Sequence, residues 1–366
     1  MSNYNLSELV LKTHYGDNSL ITDEAGLPSV MVYIPAFKNS DVLTGGDDKT
    51  HPAFIVNGKE IPGFYYSKYQ NVVVDGKAYS LPGEDPQANI SFDKAREYSE
   101  GKGYGWHLST AAEWAAIALW CKKNGFLPYG NNNFGKDSRE NDYKALPTAQ
   151  DTSGKVARVA TGTGPLTWSH DGTMSGIWDM NGNVWEWQCG LRLVWGELQI
   201  LANNDAADPD NPQNQTSVCW KAINAADGSL VAPECSVNDT GVKNFGSTVK
   251  LDYINNTWTY STVITSAIAG SRGSTFGNST CTEEISAAAK TVLRSLALLP
   301  DDELDDSDYD HDVVYFDNNN AECFCFRGGA WPHGTGAGVF SLYILYARTY
   351  KNVNLGFRSA YIPELE

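Results

Sequence analysis

The chain has 366 residues, of which 42% are hydrophobic, and its formal charge at pH 7 is −17. A chain of this length buries roughly 75% of its unfolded surface, so we expect a substantial core, in one elaborated domain or in two average ones. Because binding to phosphate groups requires clustered Lys and Arg, the negative charge argues against nucleic acid and anionic membranes as partners.

The opening residues lack the charged and apolar regions of a secretory signal peptide, and no run of about 18 apolar residues occurs in the chain. We therefore expect a soluble protein that is cytoplasmic at synthesis and has no membrane insertion. The cysteines, seven in number and irregularly spaced, favour reduced and partly buried thiols over a disulfide framework.

Short strands and two helices are predicted in the first part of the chain. Residues 30–35 and 64–69 are rich in β-branched and aromatic residues and are bounded by Pro and Gly, as strands are. A first helix is predicted near residues 92–102, with Ser91 as its N-cap.

A capping box predicts where the second helix begins. Thr110 and Glu113 have the required spacing, and apolar residues then recur at helical intervals over residues 114–121. Gly125 is expected to end this helix.

The composition of residues 203–320 shifts towards Asp, Asn, Ser and Gly, which indicates an insertion. Within it, residues 248–261 alternate on both sides of Asn255-Asn256, a pattern typical of a hairpin with a tight turn. Residues 285–299 carry apolar side chains on one helical face and predict a helix.

An acidic run follows over residues 301–312. It begins like an EF-hand loop, but His311 stands where the loop requires Gly, and Asp317 stands where it requires a bidentate Glu. We therefore interpret the run as a solvated acidic loop rather than as a calcium site.

The most distinctive local motif is Gly-Asn-Val-Trp-Glu-Trp at residues 182–187. Its two indoles, Trp185 and Trp187, are best explained as core rings. Asn183 and Glu186 are interpreted as buried polar groups that satisfy the backbone of nearby loops.

A second distinctive region is the C-terminal segment, framed by Arg-Gly-Gly-Ala-Trp at residues 327–331 and Gly-Phe-Arg at residues 356–358. The ring-bearing and small polar residues between these frames follow no amphipathic period. Such residues supply contact area at low entropy cost and adaptable hydrogen bonds, as antibody paratopes do. We therefore expect Tyr343, Tyr346 and Tyr350 to point to solvent.

The two regions together resemble the formylglycine-generating-enzyme branch of the C-type lectin fold and, within it, the variable proteins of diversity-generating retroelements. The resemblance runs from about residue 28 to 200 and resumes near residue 322. It implies an α+β, C-type-lectin-like fold in which residues 1–200 and 322–366 form one domain, with residues 201–321 inserted between them. In such variable proteins a reverse transcriptase rewrites chosen codons, so a fixed scaffold displays changing side chains.

The resemblance also implies a role for individual residues. The positions expected to vary and to contact a ligand are Ala330, Pro332, His333, Thr335, Gly336, Ser341, Tyr343, Leu345, Tyr346, Thr349, Tyr350, Lys351, Val353 and Asn354. The positions expected to form the scaffold are Trp185, Trp187, Arg327, Gly329, Trp331, Gly338, Phe340, Gly356, Phe357 and Arg358. In the enzyme relatives the region of residues 182–187 contributes to a structural calcium site, which makes Asn183 and Glu186 candidate ligands; no other cofactor is expected.

The function implied is binding without catalysis. The expected partner is an unknown target macromolecule, a protein or a glycan, on a cell surface. The expected location is a virion, at the phage tail, or the surface of a bacterial cell.

Two alternatives remain open. One is a divergent oxidase of the formylglycine-generating type, but those enzymes carry a reactive cysteine pair between the two frame motifs, and residues 331–355 here contain no Cys. Cys323 and Cys325 alternate with Phe and are expected on one strand face in the core. The related iron-dependent oxidases need a His cluster, which the scattered His residues do not provide. The other alternative is a virion structural or assembly protein whose acidic insertion contacts a companion chain.

Overall fold

The computed structural model describes residues 18–363, which form an α+β fold of four helices and 21 strands. The helices are α1 (Asn39–Val42), α2 (Phe92–Glu100), α3 (Ala111–Lys123) and α4 (Ala287–Ser295). The strands of the first part of the chain are β1 (Ser19–Thr22), β2 (Pro28–Pro35), β3 (Ile55–Val56), β4 (Lys59–Glu60), β5 (Gly63–Ser67), β6 (Val72–Val74), β7 (Lys77–Tyr79), β8 (Trp106–Leu108), β9 (Trp185–Val194) and β10 (Glu197–Ile200). The remaining strands are β11 (Lys221–Ile223), β12 (Leu230–Val231), β13 (Lys250–Ile254), β14 (Thr257–Ser261), β15 (Arg272–Thr275), β16 (Thr280–Cys281), β17 (Val313–Phe316), β18 (Cys323–Arg327), β19 (Leu342–Tyr346), β20 (Leu355–Phe357) and β21 (Ser359–Tyr361).

The predicted start of α3 is confirmed. Thr110 Oγ1 accepts a hydrogen bond from the backbone N of Glu113 at 3.1 Å, and Glu113 Oε2 accepts one from the backbone N of Thr110 at 3.0 Å. Both donors would otherwise be left unpaired at the helix terminus, so the box fixes where the helix begins.

The other two predicted helices differ in detail. Ser91 precedes α2, but its side chain makes no capping hydrogen bond; instead the N–H of Phe92 donates to the carbonyl of Arg348 at 3.1 Å. The insertion helix α4 ends before Ala297, which has a φ of 47°. A non-glycine residue in that left-handed region cannot continue a right-handed helix, so the predicted extension to residue 299 is wrong.

Both sheets of the fold depend on the C-terminal segment. In the five-stranded sheet, of order β1-β2-β5-β21-β8, the C-terminal strand β21 lies between β5 and β8. In the twelve-stranded sheet the main path is β15-β17-β19-β18-β9-β10-β13-β14-β16, and β20 pairs with β9. The last residues therefore complete sheets that the first 200 residues begin.

The region predicted as an insertion continues the larger sheet. The hairpin predicted around Asn255-Asn256 is confirmed as β13 and β14, with φ values of 52° and 63° at the two turn residues. Two consecutive Asn residues with positive φ are typical of a tight hairpin turn. Near the other edge of this sheet, β17 pairs with the edge strand β15 on one side and lies parallel to β19 on the other. The division into residues 1–200, 201–321 and 322–366 stays a prediction, and residues 1–17 and 364–366 lie outside the described part.

Strand β18 separates two parts of the core, as its alternating sequence predicts. Cys323 and Cys325 face the cluster that contains α3, whereas Phe324 and Phe326 face the cluster that contains the two indoles of β9. All seven cysteines, which lie within residues 18–363, are free thiols. The expectation of reduced, partly buried thiols is thus confirmed.

Candidate binding surface

The Gly-Phe-Arg motif is held by a buried ion pair. Arg358 Nε donates to Glu186 Oε2 at 2.8 Å, and both side chains are almost completely excluded from solvent. The Arg358 guanidinium also donates to the carbonyls of Lys68, at 3.0 Å, and Ser67, at 3.2 Å. Removing one partner would leave the other as an unpaired buried charge, so this pair ties the C-terminal segment firmly to the rest of the fold.

The second frame arginine ties the C-terminal segment to the insertion. Arg327 is fully buried, and its guanidinium donates to the carbonyls of Leu296, at 2.9 Å, and Ala297, at 3.1 Å. These carbonyls lie directly after the end of α4, where no further helical turn supplies them with N–H donors. The C-terminal frame and the insertion thus satisfy each other's buried polar groups.

The two indoles of β9 lie beneath the C-terminal segment. Trp187 is fully buried, and its Nε1 donates to the carbonyl of Ile90 at 2.9 Å. Trp185 is 2% exposed, and its ring lies 4.1 Å from that of Tyr343, measured between centroids. Trp187 is therefore part of the interior, whereas Trp185 packs directly beneath Tyr343.

The C-terminal segment contains a strand, β19, that was not predicted from the sequence. In β19, Leu342 and Ile344 face the core cluster of α3, whereas Tyr343 faces the opposite side, where it contacts Trp185. This alternation corrects the prediction that the segment follows no period. Residues 342–346 of the segment therefore belong to the twelve-stranded sheet, and loops connect them to the two frame motifs.

Four ring-bearing side chains of the segment form a continuous layer, which we call the C-terminal surface: His333, Tyr343, Tyr346 and Tyr350. His333 packs edge-on against Trp185 at 5.2 Å between centroids, and Tyr346 stacks on Tyr350 at 3.7 Å. All four are half-buried, which corrects the expectation that the tyrosines point freely to solvent. The rings of His333, Tyr343 and Tyr346 pack on Trp185 or Phe326, Tyr350 packs on Tyr346, and all four remain partly accessible.

Around these rings, five of the positions expected to vary are exposed, namely Pro332, Thr335, Thr349, Lys351 and Val353. Gly336 and Asn354 are half-buried. Ala330, Ser341 and Leu345 are buried in the free chain, unlike the other positions expected to vary, and their contact role stays a prediction. Local contacts hold such side chains inside; the Ser341 hydroxyl, for example, donates to the carbonyl of Gly336 at 2.7 Å. The positions expected to form the scaffold are all buried.

Burial disfavours charge on two rings of the C-terminal surface. Desolvation lowers the pKa of His333, because a charged imidazolium would lose its hydration among the surrounding rings. Desolvation, together with the neighbouring Tyr350 hydroxyl, raises the pKa of Tyr346 to about 12. Both shifts favour the neutral form of the ring.

One contributor to this surface was missed by the sequence analysis. Tyr315 of β17 belongs to the insertion, yet its ring lies 4.8 Å from that of Tyr343, measured between centroids. The two residues are paired in register across β17 and β19. No local pattern could have revealed this neighbour, since the pairing joins residues that are far apart in the chain.

The candidate calcium ligands do not fit a cation. Asn183 Oδ1 accepts hydrogen bonds from the N–H of Val159 and the amide of Asn131, at 2.9 and 3.2 Å. Glu186 accepts from the amide of Gln70 at 2.9 Å as well as from the Arg358 guanidinium. These oxygens already serve as acceptors, and the guanidinium would repel a calcium ion, so the calcium assignment is corrected. Within the described part of the chain, no group of three or more His, Cys, Asp or Glu is arranged to hold a metal ion.

The thiols nearest the C-terminal segment are poorly suited to reactions. Cys323 and Cys325 are fully buried, and desolvation raises the pKa of both, that of Cys325 to about 11. Because the thiolate is the nucleophile and the metal ligand, a raised pKa leaves such a thiol unreactive near neutral pH.

Comparison with known proteins gives one family match. Residues 48–193 match the family described as Sulfatase-modifying factor enzyme 1-like domain. This match and the observed architecture confirm the expected α+β, C-type-lectin-like fold of the formylglycine-generating-enzyme type. The match ends before the C-terminal segment. No curated protein gave a match.

Several solved structures are similar to the whole chain at low identity. PvdO from Pseudomonas aeruginosa aligns over 94% of this chain and 97% of its own, with 13% identity and a TM-score of 0.35. Treponema denticola variable protein 1 aligns over 95% of this chain and 99% of its own, with 11% identity and a TM-score of 0.34. The Major Tropism Determinant M1 variant aligns over 94% of this chain and 71% of its own, with 9% identity and a TM-score of 0.31. Separately, no helix within residues 18–363 is both long and apolar enough to cross a membrane.

Proposed function

We propose that this chain is a binding protein that presents changeable side chains on a fixed C-terminal frame, as the variable proteins of diversity-generating retroelements do. The observation that carries the proposal is the C-terminal surface itself. Its half-buried rings rest on Trp185 and Phe326, and exposed side chains surround them. A frame of this kind can accept new side chains at the exposed positions without losing its own packing.

The physical character of this surface suits recognition of a macromolecule. Tyrosine rings that are already fixed by stacking lose little conformational entropy on binding, and they offer both an apolar face and a hydroxyl group. We propose that the partner is a protein or a glycan on a cell surface. The chain would reach it from a phage tail or from the surface of a bacterial cell.

A second candidate function is the oxidation of cysteine to formylglycine, which the family match over residues 48–193 favours. Two observations count against it. Residues 331–355 contain no Cys, and the nearest thiols, Cys323 and Cys325, are buried. We expect no turnover of a cysteine-containing sulfatase peptide in the presence of copper. Turnover that disappears in a Cys323→Ser/Cys325→Ser variant would support the oxidase instead.

Binding can be tested with the labelled full chain on a panel of bacterial strains. The test variant combines Thr349→Ala, Lys351→Ala and Val353→Ala, three exposed positions beside the C-terminal surface. The matched control combines Thr240→Ala, Lys123→Ala and Val218→Ala, which removes the same side chains from exposed positions elsewhere.

Wild type and control should bind the same strains, and the test variant should lose at least tenfold in apparent affinity without a change in melting temperature. Equal loss in test variant and control would show that binding does not use the C-terminal surface.

A further inference from the structure

A polar cleft adjoins the C-terminal surface at the edge of the twelve-stranded sheet. We call it the hairpin cleft, because the turn of the β13–β14 hairpin lines one side and β15 with Tyr315 of β17 the other. Its volume is about 570 Å³, which is within the range of small-ligand sites. Its lining is entirely contributed by the insertion.

The lining of the hairpin cleft is polar without charge. Most of its residues are Asn, Ser or Thr, and none of the described residues that line it is Asp, Glu, Lys, Arg or His. Such a lining would leave the charge of an ionic ligand without a counter-ion, and it therefore favours a neutral ligand with many hydroxyl groups.

The turn supplies hydrogen-bonding groups that the protein itself does not use. Asn255 and Asn256 are exposed at the rim, and neither side-chain amide makes a hydrogen bond to another residue of the described chain. Each amide offers two donor hydrogens and an acceptor oxygen. The Thr257 hydroxyl, by contrast, donates a hydrogen bond to the backbone carbonyl of Asn278 at 2.8 Å, which joins two residues of the lining.

An aromatic ring completes the cleft. The ring of Tyr315 lies over Gly273 of the neighbouring strand β15. A Cβ added at Gly273 would lie 2.4 Å from Cζ of the tyrosine. Only a residue without a side chain allows the ring to lie there. The same ring contacts Tyr343 of the C-terminal surface, so the cleft and that surface share Tyr315 as their boundary.

We infer that the hairpin cleft is a constant subsite for a neutral carbohydrate, next to the changeable C-terminal surface. A sugar ring presents hydroxyl groups at its edge and an apolar C–H face, which match the free amides of Asn255 and Asn256 and the ring of Tyr315. The inference rests on the proposed function in one respect: the sugar would be part of the cell-surface target.

Saturation-transfer difference NMR on the full chain tests this inference. The probes are the methyl glycosides of glucose, galactose, mannose and N-acetylglucosamine, with N-acetylneuraminic acid as the charged comparison. The test variant is Asn255→Gly/Asn256→Gly, because glycine keeps the positive φ of both turn positions while it removes both amides. The Thr240→Ala/Lys123→Ala/Val218→Ala variant, which changes only exposed positions outside the cleft, serves as the control.

At least one neutral sugar should receive saturation from wild type and control, and its signal should fall more than fivefold in the turn variant. An absence of transfer to every neutral sugar, an unchanged signal in the turn variant, or equal transfer to N-acetylneuraminic acid would overturn the inference. Cell binding that depends on the C-terminal surface without any sugar signal would remove the subsite and leave the proposed function standing. A sugar signal that depends on the hairpin cleft, without any cell binding, would support the subsite and count against the proposed function.

Discussion

At the scale of single residues, the C-terminal segment contains three kinds of position rather than two. Buried positions such as Phe340 and Arg358 belong to the frame, and exposed positions such as Lys351 lie at the surface. Tyr343 is intermediate, because its ring contacts Trp185 and Tyr315 and still reaches the surface. Replacing a half-buried ring therefore changes stability as well as binding.

This distinction predicts different costs within one segment. Tyr343→Ala should lower the free energy of unfolding by roughly 1–3 kcal/mol, less than the cost of truncating a fully buried ring. Thr349→Ala and Lys351→Ala should each change it by no more than about 0.5 kcal/mol. Urea unfolding of the three variants checks this, and an unchanged midpoint for Tyr343→Ala would show that its ring adds nothing to the scaffold.

At the scale of elements, the insertion and the C-terminal segment are held together by specific contacts. Asp312, just before β17, accepts a hydrogen bond from the backbone N of Phe340 at 2.8 Å, and burial raises the pKa of its carboxyl group. Gly338 lies against the same carboxyl group, so close that an added Cβ would be 2.0 Å from Asp312 Oδ1. The absence of a side chain at residue 338 is thus what allows this contact.

Gly338→Ala should displace the Asp312 carboxyl group and cost roughly 1–3 kcal/mol, as overpacking of a filled interior does. Gly241→Ala is the matched control, because nothing lies within 4 Å of its added Cβ. The control should leave the free energy of unfolding within about 0.5 kcal/mol of wild type. Similar midpoints for the two variants would contradict the proposed tight contact.

His51 connects the first part of the chain to the insertion helix. Its Nε2 lies 2.8 Å from the carbonyl of Ser295, and its Nδ1 accepts from the N–H of Ala53 at 3.2 Å, so the ring is held in its neutral form. Burial lowers the pKa of His51 to about 4. In the unfolded chain the group has a pKa near 6.5, so the unfolded state binds the proton first as pH falls, and stability is lost from about pH 6.5 towards pH 4.

The pH dependence should therefore differ between wild type and His51→Gln. Between pH 7 and pH 4.5, wild type should lose roughly 2–3 kcal/mol more of its free energy of unfolding than the variant does. Groups common to both proteins, including the buried His170, cancel in this comparison. Urea unfolding at the two pH values provides the measurement, and parallel losses would show that His51 is not held neutral.

At the scale of the whole molecule, local patterns predicted the fold well where the cause of the structure is local. The capping box at Thr110 and the tight turn at Asn255-Asn256 depend on neighbouring residues, and both are confirmed. Strand β19 was missed because both of its faces carry apolar or aromatic side chains, so its sequence shows no alternation of polar and apolar residues. The role of Tyr315 depends on strand pairing across the insertion, which no local pattern contains.

The candidate binding surface shows the same division between local and tertiary causes. The frame motifs predicted buried positions, and all of these positions are buried. Exposure between the frame motifs depends on tertiary packing, which is why the sequence did not reveal the burial of Ala330, Ser341 and Leu345.

Sequencing the DNA that flanks the gene tests directly whether the C-terminal surface is diversified. We expect a near-copy of the coding segment for the C-terminal region, close to a reverse-transcriptase gene and differing from the coding segment at adenines. The differing codons should fall on the exposed and half-buried positions between residues 332 and 354, and those for Phe340, Phe357 and Arg358 should be identical in the two copies. A locus with neither a second copy nor a reverse transcriptase would contradict diversification of this surface, as would differences concentrated in the codons of the buried frame.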